Sequence, residues 1–140
     1  MDNVLEPLWQ PTVEQVAGAS ITRFARHAEM RWGKDLKDYT TLHRWSVEYP
    51  EEFWVSIWNF CGVKSASHAG PVVENPHQLP GARFFPQARL NFARNLLDRR
   101  DESLAIRFRS EDRVERSLTY SELYRQVAAL TRGLRVAGVR

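Results

Sequence analysis

The feature that most constrains the fold is a change of period near the C-terminus. In "SLAIRFRSEDRVERSLTY", Leu104, Ile106 and Phe108 alternate with Ala105, Arg107 and Arg109, which predicts a half-buried strand. "SEDR" reads as a turn and Val114 to Leu118 as a returning strand. The period then becomes helical. Thr119 and Glu122 stand at capping-box spacing, and Leu123, Val127, Leu130, Leu134 and Ala137 hold one face over four turns. Gly138 is placed as the stop, with Val139 as the apolar residue just beyond it. Burying the four large side chains of that face would contribute roughly 6–12 kcal/mol, at about 1.5–3 kcal/mol each. Such a sum rivals the stability of a whole domain, and two strands are thin cover for it. A helix that follows a strand in this way usually returns the chain to a sheet, so the expected cover is a sheet that continues beyond residue 140.

The upstream hundred residues have another texture. Thr12 and Gln15 match a capping box, and Ser20 is placed to cap a second helix carrying Ile21, Phe24, Ala25 and Ala28 on one face, with Gly33 ending it. Asp38 would cap a third turn or two bearing Tyr39, Leu42 and Trp45. "YPEEFWVSIWNFCG" is the firmest helix: Pro50 suits its first position, and Glu51 and Glu52 place negative charge at its positive end. Phe53, Ile57, Phe60 and Cys61 form its stripe, Trp54 and Trp58 stand beside them, and Gly62 ends it. Val63 to Pro80 reads as a wandering connection, and Asn91 caps a short helix presenting Phe92, Leu96 and Leu97.

Length and composition narrow the class. With 140 residues, one domain is the default, and 43% hydrophobic residues suffice for a packed core. No apolar run approaches the roughly 20 residues of a membrane span, so no membrane partner is expected. "MDNVLEPLWQP" lacks the basic and apolar regions of a secretory signal, and one cysteine permits no internal disulfide, so a cytoplasmic location is expected. The +3 charge comes from 17 Arg against 3 Lys, spread among acids as in "RFRSEDRVER". That spread favours a mixed-charge surface over a nucleic-acid partner.

No candidate for chemistry stands out. Neither GxxxxGK[ST] nor GxGxxG occurs. His27, His43, His68 and His77 lack metal-ligand spacing; His68 and His77 share a loop with Glu74, where an ordinary surface loop is the plainer reading. Glu51/Glu52, Asp101/Glu102 and Glu111/Asp112 lie at a helix start and in turns, which points to capping and hydration rather than acid–base work. Cys61, on an apolar stripe, is expected to be buried and inert. The expected catalytic, cofactor-binding and metal-binding residues of this chain are therefore none.

Three stretches in order, "PLWQPT", "DYTTLHRWSVEYPEEFWVSIWNFCGV" and "FFPQARLNFARNLL", resemble the N-terminal region of acetoacetyl-CoA synthetases, among the AMP-forming acyl-CoA synthetases. Phe84-Phe85-Pro86 and Leu90 to Leu97 carry the match, with Gln87 where glycine is common and Arg94 where glutamate is common. "LTYSEL", Leu118 to Leu123, resembles the first core motif of the wider adenylate-forming superfamily. The resemblance implies an α+β fragment: residues 1–100 as an aromatic-rich N-terminal helical extension, then residues 101–140 as the strand pair and amphipathic helix that begin a large α/β AMP-binding domain. In the full-length family, ATP and acetoacetate give an acyl-adenylate and pyrophosphate, and CoA then displaces AMP, with magnesium neutralising phosphate charge. The family's phosphate loop, ribose-binding aspartate and catalytic lysine have no counterpart in these residues. The resemblance therefore implies a bracing role here, with ATP, Mg and CoA bound elsewhere and the remainder of the adenylation domain, or another chain, covering the last helix. A non-catalytic binding module that pairs through that helix face is the alternative reading.

Overall fold

Local capping explains where most helices begin. In a computed structural model that describes residues 8–67, 69–111 and 113–139, α1 (Val13–Gly18) starts at a full capping box between Thr12 and Gln15. The first helical residue of α2 (Ser20–Trp32) is Ser20, and the N-cap is Ala19, which has no side-chain cap. Ser20 instead accepts a hydrogen bond from Arg23 Nη2 at 3.1 Å, so its hydroxyl serves the first turn from inside the helix. Asp38 caps α3 (Tyr39–Glu48), a ten-residue helix rather than a turn or two. Pro50 opens α4 (Pro50–Phe60), with Glu51 and Glu52 in its first turn.

The connection after α4 carries short extended pieces: β1 (Ser65–Ser67), β2 (Val73–Glu74), β3 (Arg83–Phe84) and β4 (Arg89–Leu90). β2 and β3 pair antiparallel with Val73 opposite Phe84, and Glu74 meets Arg83 at 3.5 Å. Gly70, at φ 86°, closes against Gln87: a Cβ there would sit 2.5 Å from the Gln87 side chain. Beyond Asn91, whose side chain accepts from the Arg94 N–H, come α5 (Phe92–Leu96), β5 (Leu104–Arg109), β6 (Glu115–Thr119) and α6 (Tyr120–Val136).

The chain divides into two units, up to Arg89 and from Leu90. In the first, Phe24, Ala28, Leu36, Leu42 and Trp45 form the core, with Phe53, Ile57 and Phe60 packed against it. Of the face predicted on α2, Phe24 and Ala28 are buried, whereas Ile21 is exposed. Helix α2 lies on α4, and α3 on α4, so the aromatic stripe of α4 forms the middle of this unit.

The second unit is a hairpin and one long helix. β5 and β6 pair antiparallel, Ile106 opposite Leu118 and Arg109 opposite Glu115, with a bulge between Leu104 and Ile106. The reversal falls at 110–113 as read from "SEDR"; its Asp112 lies outside the described residues. The Thr119/Glu122 capping box opens α6. Gly138, at φ 87°, lets its N–H reach the Arg135 carbonyl while the Val139 N–H reaches the Leu134 carbonyl, which satisfies the last turn. No described residue of this unit is buried. The strand expected to be half-buried is thus corrected: Leu104, Ile106 and Phe108 all project into solvent, because a two-stranded ribbon and one helix supply nothing to lie across them.

Candidate functional site

In the sequence, Trp54 and Trp58 stand beside the apolar stripe of α4. Trp54 and Trp58 are half-buried against the connection that follows, Trp54 on Phe84 at 4.8 Å between ring centroids and Trp58 on Phe85 at 4.5 Å. Phe85 is held at φ 45°, a left-handed conformation that costs a bulky residue of the order of 1–3 kcal/mol. Its N–H donates to the Val72 carbonyl at 2.8 Å, so ring packing and this backbone bond hold the turn together. Deeper in, the Trp32 indole donates to Ser56 Oγ at 2.8 Å, and Ser56 Oγ donates to the Glu52 carbonyl at 2.8 Å. Ser56 is completely buried. Ser56→Ala leaves the indole N–H unpaired, and the expected loss is about 1–3 kcal/mol in urea unfolding. Adding Trp32→Phe should recover part of it; an unchanged midpoint for Ser56→Ala would show that the bond contributes nothing.

The titratable residues remain scattered. Among the described residues, no group of three or more His, Cys, Asp or Glu comes together to hold a metal, and His68 lies outside them. Glu52 Oε2 accepts from the Trp45 indole at 2.9 Å, a structural bond between α3 and α4. Cys61 is exposed, which corrects the expected buried thiol: it is the C-cap of α4, where the helix ends and its stripe leaves the core. It lines an apolar hollow of about 450 Å³ together with His43, Phe53 and Ile57. Asp101 gathers hydrogen bonds from the Ser103 hydroxyl, the Ser103 N–H at 2.9 Å and Arg99 Nη2 at 3.0 Å. Those bonds, the Ser103 hydroxyl first, lower its pKa from 3.8 to about 2. A carboxylate with a depressed folded pKa stabilises above its unfolded value and loses that contribution as pH falls through the folded one. NMR titration is accordingly expected to place Asp101 near pH 2, with the tie between 101–103 and α6 loosening between about pH 4 and 2; a midpoint near 4 would contradict the network. That tie is the Ser121 N–H on the Asp101 carbonyl and the Tyr120 N–H on the Ser103 carbonyl, both 3.0 Å.

Helix α6 presents two faces. With about 100° per residue, Leu123, Leu130 and Leu134 fall on one line, and Tyr124, Ala128, Thr131 and Arg135 on another roughly a third of a turn away, Val127 lying between. Leu130 is 64% exposed and Leu134 44%, so the predicted apolar stripe lies open over its second half. The other face forms, with α5 and the residues after it, a groove of about 860 Å³. Arg94, Arg100, Arg132 and Arg135 rim it, and Leu97 and Val127 lie in it. In the sequence these arginines read only as part of a dispersed charge, since just Arg132 and Arg135 share a helix, three residues apart.

No protein-family model matches the chain. It is 39% identical over 95% of its length to an acetoacetyl-coenzyme A synthetase of Rhizobium meliloti, and 29% identical over 95% to an acetoacetyl-CoA synthetase of Danio rerio. It covers 20% of each. A solved acetoacetyl-CoA synthetase of Streptomyces lividans superposes with a TM-score of 0.82 at 37% identity, over 97% of this chain and 22% of that one. The mixed helix-and-strand architecture is thus shared with part of a larger protein. By sequence and by fold, the chain is a homologue of the acetoacetyl-CoA synthetases that spans about one fifth of their length.

Proposed function

We propose that the chain is the N-terminal region of an acetoacetate–CoA ligase, with residues 1–100 as a helical extension and 101–140 as the opening of the AMP-binding domain. One observation carries this reading: 39% identity over 95% of the chain against an enzyme of that name, covering only a fifth of it. The exposed Leu130 and Leu134 of α6 and the exposed Leu104, Ile106 and Phe108 of β5 support it, since apolar side chains in such number suit burial by a further part of a larger protein. The whole protein would join ATP, acetoacetate and CoA to give AMP, pyrophosphate and acetoacetyl-CoA in the cytoplasm. In this reading no step of the reaction is assigned to these residues, whose sequence contains neither GxxxxGK[ST] nor GxGxxG. Their work in this reading is to bind and brace the sheets that carry the chemistry.

The test joins this chain to the remaining four-fifths of a homologous ligase and measures acetoacetate-dependent exchange of pyrophosphate into ATP. The 140 residues alone are expected to give none and the joined protein to give exchange, stronger with acetoacetate than with acetate. Exchange by the isolated chain, or a joined protein that folds but prefers acetate, would overturn the proposal in its function or in its substrate.

A further inference from the structure

The groove on the second face of α6 gathers more positive charge than the ends of its two helices call for: Arg94 and Arg135 stand in the last turns of α5 and α6, and Arg100 and Arg132 join them. A single cation near a helix C-terminus compensates the dipole. Here four arginines converge from three segments: Arg94 from α5, Arg100 from the loop after it, and Arg132 and Arg135 from α6. None of the residues lining the groove is Asp or Glu. Among the described residues, no carboxylate pairs with Arg94, Arg132 or Arg135, whereas arginines elsewhere in the chain do find partners, as Arg99 does in Asp101 and Arg109 in Glu115. Arg100 lies over the Tyr124 ring at 4.0 Å, which fixes its guanidinium at the rim. Leu97 and Val127, both half-buried, add apolar lining to the same groove, beside the exposed Ala128 and Val136. From Tyr124 to Val136 the groove follows α6 for about 18 Å, at about 1.5 Å per residue.

We infer that this groove is a docking site for an acidic amphipathic helix of another protein. Charge complementarity selects the occupant. Four guanidinium groups and an apolar lining with no carboxylate match a helix that carries carboxylates beside an apolar stripe, and the length fits about three turns of helix laid in a groove. A small anion would need its donors converging on a point, and single-stranded nucleic acid would need free aromatic faces, whereas the Tyr124 face is occupied by Arg100. The groove lies about a third of a turn round α6 from Leu130 and Leu134 and includes neither of them.

The experiment uses the 140-residue chain and a fluorescent eighteen-residue peptide. Its leucines are spaced i, i+4, i+7 and glutamates flank them; a control peptide keeps the glutamates and replaces leucine by serine. Anisotropy is expected to report binding of the first peptide, weakened at least about tenfold by Arg132→Gln with Arg135→Gln and weakened by added salt. The control peptide should bind at least about tenfold more weakly, because charge without apolar contact leaves the apolar lining uncovered. Leu130→Asp with Leu134→Asp, on the other face, should leave binding unchanged. No binding, equal binding of the control peptide, or loss of binding in the leucine variant with none in the arginine variant would each overturn the inference. Self-association of the chain abolished by the arginine variant would overturn it as well, by making a second copy the occupant. Circular dichroism confirms that each variant is folded.

Discussion

Phe24→Ala is expected to destabilise the helical unit by about 3–5 kcal/mol, the range for removing a buried aromatic ring without full collapse of the site. Phe24 is 6% exposed and meets Phe53 and Phe60 edge-on, with centroids 5.8 Å and 5.4 Å away. Its loss opens a cavity between α2 and α4, which hold the unit together. Domains of ordinary stability have about 5–15 kcal/mol to lose, so this substitution approaches unfolding. The readout is selective, because all five tryptophans precede residue 60 and belong to this unit. Urea unfolding followed by tryptophan fluorescence should show the midpoint collapse. Ile21→Ala, on the same helix but exposed, is the control and should cost less than about 1 kcal/mol. Equal midpoints for the two variants would mean that the aromatic cluster is not the core.

Leu130→Asp together with Leu134→Asp should have opposite consequences in two proteins. In the 140-residue chain both side chains are exposed, so the aspartates replace solvated leucines and stability should change little. In the joined ligase of the proposed function the same positions would lie under the rest of the sheet. There each leucine would contribute about 1.5–3 kcal/mol by burial. Two uncompensated carboxylates would cost several kcal/mol more to desolvate. Acetoacetate-dependent exchange is therefore expected to disappear with the fold of the joined protein. A joined variant with full activity would show that this stripe faces solvent there too. Because the arginine groove lies on the other face, Arg132→Gln with Arg135→Gln should spare that activity.

Short-range chemistry was legible in the residues. The Thr12/Gln15, Asp38 and Thr119/Glu122 caps and the Gly138 stop all formed as read, because each is closed by hydrogen bonds to residues three to five positions away. The same holds for Pro50 at the first turn of α4 and for the strand pair, whose alternation and turn lie within sixteen residues. Ser20 misled because a serine inside the first turn and one just before it differ by a single residue, and the hydroxyl finds a partner either way.

Burial was another matter. Leu42 and Leu130 carry the same side chain on equally plausible amphipathic helices, yet one is in the core and the other open to solvent. What separates them is the presence of a facing element: α4 lies against α3, whereas among the described residues of the second unit Leu130 and Leu134 stay exposed, beyond the half-buried Leu123 and Val127. Cys61 followed the stripe in sequence but falls at the helix end, where the core has already ended. The arginine groove is likewise invisible along the chain, since Arg94 and Arg132 become neighbours of one hollow only when α5 and α6 pack. Helix and strand identity were thus set by hydrogen bonds a few residues long, while the core and the groove were decided by which surfaces the tertiary structure brings face to face.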